Sequence, residues 1–343
     1  MAIIDADAHV VENERTWSYV SGSEKELMPI RVTIPGRDGR DSQMWAIEGK
    51  LLSGGPVSET DAVKADRELD DVPARIKHMD ELGTDAQVLF PTFFLRPITD
   101  KPDVDLALCR SYNRWLAERC AEAPSRLRWA VVPPTTNIAA SIEELRFAKD
   151  HGACAVFWRG VERERLPGDP YFYPLYEEAS RLDLPICVHA ATGNFYFHDV
   201  FSGDLGFWRF KLPGLTAFHN ILQTKLMERF SKLRFGFVEL SAQWVPYALH
   251  DFVRRMEKKG QQLDRTALMA ENRIYVACQT DDDIAYVLKY AGSSNLVAGT
   301  DYGHADTSSE LEALKRLRYR EDISSGDMDR ILDDNPRALY GLQ

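Results

Sequence analysis

Long apolar runs are missing from this sequence of 343 residues. No stretch approaches the roughly 20 residues that cross a bilayer, which argues against a membrane protein. A basic excess is missing too. Lys and Arg number 42 against 53 Asp and Glu, a net charge of −11, whereas nucleic-acid binding needs a basic face. Cysteine is scarce and unpatterned. The five (Cys109, Cys120, Cys154, Cys187 and Cys278) are odd in number and include no C-x-x-C, so reduced, buried thiols are expected. No G-x-G-x-x-G or Walker-type loop occurs, which removes support for a nucleotide-binding sheet. No basic-then-apolar leader precedes AIIDADAHVV, so a cytoplasmic protein is expected.

What is present is a repeated alternation. Apolar residues make up 44% of the chain, enough for a sizeable core. Eight short β-branched or apolar runs read as strands: Ile3 to His9, Ala86 to Pro91, Arg128 to Pro133, Ala153 to Trp158, Pro185 to Ala190, Arg234 to Leu240, Ile274 to Cys278 and Leu296 to Asp301. Helical patterns fill the gaps, several ending in Gly or Asn. Strand-helix alternation repeated eight times predicts an α/β fold, a (β/α)8 TIM barrel forming one domain over 1–343. An open doubly wound sheet is the alternative. The departure from an ideal barrel is a long insertion after the first strand, about 10–71. Its segment IRVTIPGRDGRDSQMWAIEGKLL reads as a β-hairpin turning at PGRDGRD. Such an insertion serves as a lid, a pocket wall or a subunit contact.

The predicted strands end in polar residues. Asp7 and His9 are two apart, so in a strand both side chains share a face. The fifth run ends at His189 and the eighth at Asp301. In a parallel barrel these C-terminal ends converge where barrel chemistry sits. Two carboxylates and two imidazoles meeting there make a metal site. Cys187, two before His189, is a candidate soft ligand, although core cysteines are common.

Six segments in order resemble the second amidohydrolase family, the group related to aminocarboxymuconate-semialdehyde decarboxylase and the hydroxybenzoate decarboxylases. They are IDADAHVVE, VLFPT, PICVHA, ERFSKLRFGFVELSAQWVPY, LVAGTDYGHAD and ILDDNPRALYGL. The resemblance implies one divalent metal on Asp7, His9, His189 and Asp301. Asp7, where binuclear relatives begin H-x-H, disfavours a two-metal site. Many decarboxylase members carry a catalytic His at the end of the sixth strand; this chain offers Glu239 there. By the same resemblance His219, in the preceding helix, is the candidate to supply that imidazole. A homodimer or higher oligomer is also implied.

Two imidazoles with two carboxylates suit zinc first and manganese second. Asp301 can ligate and also move a proton. His304, three residues on, is a candidate site residue whose rival role is a structural hydrogen bond. Glu239 acts in the site directly or orients a ligand His. Arg159 either clamps a substrate carboxylate or pairs with a rim acid. Phe93, Phe94 and Trp158 stack on a planar substrate or pack in the core. The expected partner is a small-molecule substrate. Three readings stay open: non-oxidative decarboxylation of an aromatic or unsaturated acid, hydrolysis of an amide or lactone, and an inactive metal-binding barrel.

Overall fold

The computed structural model describes residues 2–35, 41–55, 64–201, 203–305 and 307–343. Strand β1 (Ile4–Val10) is buried along its whole length. A three-stranded antiparallel sheet follows: β2 (Ile30–Pro35), β3 (Asp41–Ile47) and β4 (Lys50–Ser53). Then come β5 (Ala86–Pro91), β6 (Leu127–Val131), β7 (Ala153–Arg159), β8 (Ile186–His189), β9 (Phe235–Val238), β10 (Ile274–Cys278) and β11 (Leu296–Ala298). These seven and β1 form one parallel sheet in sequential order. The residues just after β11 return to β1, where Asp301 N donates to Asp7 O at 2.9 Å and His9 N to Tyr302 O at 2.8 Å. Gly299 permits this approach: a Cβ there would stand 2.3 Å from Asp7 Cβ. The expected TIM barrel is the fold.

A principal helix follows each barrel strand. These are α1 (Val72–Leu82), α2 (Pro102–Ala121), α3 (Ile138–Asp150), α4 (Tyr173–Arg181), α5 (Leu212–Gln223), α6 (Val245–Glu257), α7 (Ile284–Ala291) and α8 (Ala313–Arg318). Their ends follow local chemistry. Asp71 caps α1 by accepting from Ala74 N, and Gly83 ends it in the left-handed region at φ 72°. The helix α5 stops short of the next strand, because Lys225 takes φ 55° and a separate turn, Leu226–Arg229, follows. A C-terminal helical segment, 325–340, packs back on the barrel: the Tyr340 hydroxyl donates to Ala6 O at 2.6 Å and Asn335 Nδ2 to Leu296 O at 2.7 Å.

The insertion carries one strand more than the hairpin read from the sequence. β2 and β3 pair as expected, while the turn at 36–40 lies outside the described residues. β4 then pairs back on β3 through Glu48-Gly49, both at positive φ (47° and 75°). That is the two-residue turn geometry hairpins prefer, with Glu in the place Asn or Asp usually takes. An aromatic cluster fastens this sheet to the barrel: Trp17 meets Trp45 at 6.0 Å and Phe93 at 5.7 Å, and Trp45 meets Phe93 at 6.0 Å. All five cysteines are buried and unpaired.

Candidate metal centre

Along β1 the odd positions Asp5, Asp7 and His9 point one way, as strand periodicity requires. His9 is fully buried, and its Nδ1–H donates to the carbonyl of Pro91 at 3.1 Å. A carbonyl only accepts, so the proton sits on Nδ1 and Nε2 presents its lone pair. That Nε2 is buried and forms no hydrogen bond among the described residues. It faces three carboxylate oxygens: Asp301 Oδ1 at 3.2 Å, Asp7 Oδ1 at 3.8 Å and Glu239 Oε2 at 3.8 Å. Burial first, then His304 and His189, hold the His9 imidazole well below its usual range and therefore neutral. A lone pair aimed at carboxylates is repulsive without a cation between them. The donor set fits one.

His189, at the end of β8, joins from the far side. Its Nε2 lies 3.2 Å from Asp7 Oδ1, its Nδ1 lies 3.3 Å from Glu239 Oε2, and its ring stands edge-on to His9 at 4.8 Å. Two metal-competent groups result, Asp7–His9–His189 and His9–Glu239–Asp301–His304, joined at His9. Glu239 and Asp301 both occupy the left-handed region, at φ 59° and 52°. For non-glycine residues this costs on the order of 1 kcal/mol or more, and here it aims two carboxylates inward at the strand ends.

His304 extends the cluster. Its ring stacks on His9 at 3.8 Å, Nδ1 is 2.8 Å from Asp301 Oδ1, and Nε2 is 2.9 Å from Thr92 Oγ1. The Thr92 hydroxyl gives its proton to Val10 O at 2.9 Å, so toward His304 it accepts. Nε2 therefore carries a hydrogen. Its Nδ1 then faces Asp301 Oδ1 across 2.8 Å, a gap that a proton or the cation of the His9–Glu239–Asp301–His304 group would fill.

The cluster rests on groups that sequence reasoning passed over. Asp5 accepts from Thr300 N at 2.9 Å, Thr300 Oγ1 at 2.6 Å and Gln87 Nε2 at 3.0 Å, and burial pushes its carboxyl up to about 6. Buried Arg75 donates to His9 O from both Nη1 (3.2 Å) and Nη2 (3.3 Å) and lies over the Tyr302 ring at 3.7 Å. Phe90 and Phe157 flank His189 at 5.3 and 6.0 Å. The signal for Asp5 was its period-two relation to Asp7 and His9. Arg75, more than 60 residues from its partner, had none.

Five of the sequence candidates lie outside the cluster. His219 lies on α5 against α6, with Nε2 3.9 Å from Asp251 and its ring 5.6 Å from Phe252. The buried face of α5 is Ala217, Phe218, Ile221 and Leu222, so His219 sits off that face and is absent from the cluster. Arg159 is committed to Glu162: Nε is 2.9 Å from Oε1 and Nη2 is 2.8 Å from Oε2. Trp158 points outward between β7 and α4, edge-on to Phe172 at 4.8 Å, because period two gives the inward place to Phe157. Phe93 belongs to the aromatic cluster under the insertion sheet. Cys187 stays a core thiol, its acidity suppressed by burial and by the neighbouring Cys154.

The amidohydrolase family profile matches residues 4–342. Gamma-resorcylate decarboxylase of Rhizobium radiobacter is 30% identical over 131 residues, covering 36% of this chain and 40% of that protein. The chain thus spans less than half the length of that curated relative. An amidohydrolase from Mycobacterium avium subsp. paratuberculosis superposes with a TM-score of 0.80 at 16% identity, covering 100% of this chain and 98% of the other. The 5-carboxyvanillate decarboxylase of Novosphingobium aromaticivorans, solved with manganese and a nitrobenzoic acid, gives 0.71 at 15% identity, covering 99% and 96%.

Proposed function

This chain belongs to the amidohydrolase family, and from that membership we propose that it is a metal-dependent, non-oxidative decarboxylase of a small aromatic or unsaturated carboxylic acid. The observation that carries the reading is the convergence on His9: a lone pair with its tautomer fixed by Pro91, set among Asp7, Asp301 and Glu239. Asp7, His9, His189 and Asp301 would hold the metal, zinc first and manganese second for a set of two nitrogens and two oxygens. When bound, it supplies Lewis acidity toward the oxygens of the acid.

The chain's own residues account for the rest. His304, with Nε2–H fixed by Thr92 and Nδ1 2.8 Å from Asp301 Oδ1, is placed to pass a proton to that carboxylate. Asp301 delivers that proton to the substrate carbon, and the electron pair released as the carboxylate departs as carbon dioxide forms the new C–H bond. Glu239 Oε2, 3.3 Å from His189 Nδ1, puts a third carboxylate beside the cluster. The buried walls around His189 keep water out, favouring loss of the charged carboxylate.

The test is a mass-spectrometric screen of zinc- and manganese-loaded protein against hydroxybenzoates, muconate-like acids, lactones and aryl amides, with Asp301→Asn as the blank. A product lighter by one carbon dioxide, absent from the blank, is the expected result. A product split with addition of water would replace this reading with a hydrolase.

A further inference from the structure

Resting on that reading of the metal centre, we propose that the substrate carries two anionic groups, the second received by Arg96 and Arg209. A cavity of about 620 Å³ runs from Glu239 to a wall that includes both arginines and Lys211. Arg96 follows β5 and is 8% exposed. Its Nη1 donates to Ser53 O at 2.7 Å, while its Nε has no hydrogen-bond partner among the described residues. The Nε of Arg209 likewise has none, and its guanidinium lies over the Phe210 ring at 4.8 Å. No carboxylate among the described residues forms an ion pair with either arginine.

Glu12, the acid whose charge reaches Arg96, is already engaged. It accepts from Thr92 N at 3.2 Å and Phe93 N at 2.8 Å, and burial pushes its carboxyl up to about 8. Arg96 is itself pushed down to about 10, by burial first and then by Arg209. A buried guanidinium facing a like charge, without a counter-ion, is costly unless something else neutralises it. The wall belongs to the cavity that reaches Glu239 at the edge of the cluster, so an incoming acid is the group placed to do so. A neutral hydroxyl or carbonyl would fill the donors but leave the charge standing. A carboxylate accepts two guanidinium N–H groups side by side and neutralises the pair.

The experiment compares isophthalate and trans,trans-muconate with benzoate by calorimetry, on zinc-loaded and metal-free wild type and on zinc-loaded Arg209→Gln, Arg96→Gln and Arg96→Lys. The diacid of fitting span should bind wild type about tenfold or more tightly than benzoate, the increment of charge-assisted hydrogen bonds. Both Gln variants should reduce that preference to within about twofold, Arg96→Lys should restore part of it, and benzoate affinity should not move. Partly exposed Arg209 keeps the test valid if buried Arg96→Gln fails to fold. Equal binding of diacids and benzoate by wild type overturns the proposal, as does a preference that survives both Gln substitutions. Benzoate binding that ignores zinc would overturn the metal-centred reading instead, leaving the arginine comparison to be read separately.

Discussion

Thr92→Val isolates the proton held between His304 and Asp301. Valine keeps the shape of threonine and removes one hydroxyl, which in the native protein donates to Val10 O and accepts from His304 Nε2 at 2.9 Å. Without that acceptor a hydrogen on Nε2 would be buried and unsatisfied, at a cost of about 1–3 kcal/mol. The imidazole avoids this by moving its hydrogen to Nδ1, where it donates to an ionised Asp301. Asp301 then loses its standing as the proton-bearing acid. Since each 1.36 kcal/mol is tenfold in rate, kcat should fall by about 5- to 150-fold. The carboxylate oxygens and His9 Nε2 are untouched, so zinc content should equal that of wild type. The assay is steady-state decarboxylation across pH with metal analysis of the same samples. A variant within about twofold of wild-type kcat would refute the assignment, and so would one that loses activity only in proportion to lost zinc.

Gly299→Ala should distort the barrel seam, because the new methyl would meet Asp7 Cβ at 2.3 Å and Asp7 backbone N and O at 2.9 Å. Overpacking against backbone that cannot yield costs about 1–3 kcal/mol or more, so Tm and zinc occupancy should fall together in melting and metal analyses. His219→Gln should leave kcat within about twofold of wild type, since the ring lies against Asp251 and Phe252 on the helix exterior; a large loss would return it to the site. Glu12 makes stability pH-dependent. Its folded carboxyl, pushed up to about 8, exceeds the ordinary value of 4.5, so the folded state binds the extra proton and this contribution is fully present below about 4.5. It fades as pH rises through about 8. Urea unfolding of metal-free protein at about pH 6 and about pH 9 should show the decline in wild type and a flatter response in Glu12→Gln.

Local pattern reached a long way in this chain. Asp7 and His9 could be placed on one face of β1 because strand periodicity is a property of neighbouring residues, and eight alternations imposed a closed parallel barrel that delivers His189 and Asp301 to the same end. The same local logic failed where two faces compete. Trp158 and Phe157 are adjacent, and only the register of β7 in the barrel turns Phe157 toward His189 and Trp158 toward α4. His219 is one residue from the buried face of α5, a rotation that sequence spacing alone could not assign to the site or the exterior. The Glu48-Gly49 turn escaped notice because its geometry rests on a positive φ at Glu48 that no local preference announces. By itself, then, the sequence determined the barrel and the strand-end residues that gather at the candidate metal centre. Only the tertiary structure decided the His9 tautomer through Pro91, the His304 Nε2 hydrogen through Thr92, and the approach of Arg96 to Arg209. Each depends on partners many residues apart, whose meeting is set by barrel closure and not by anything their neighbours in the chain encode.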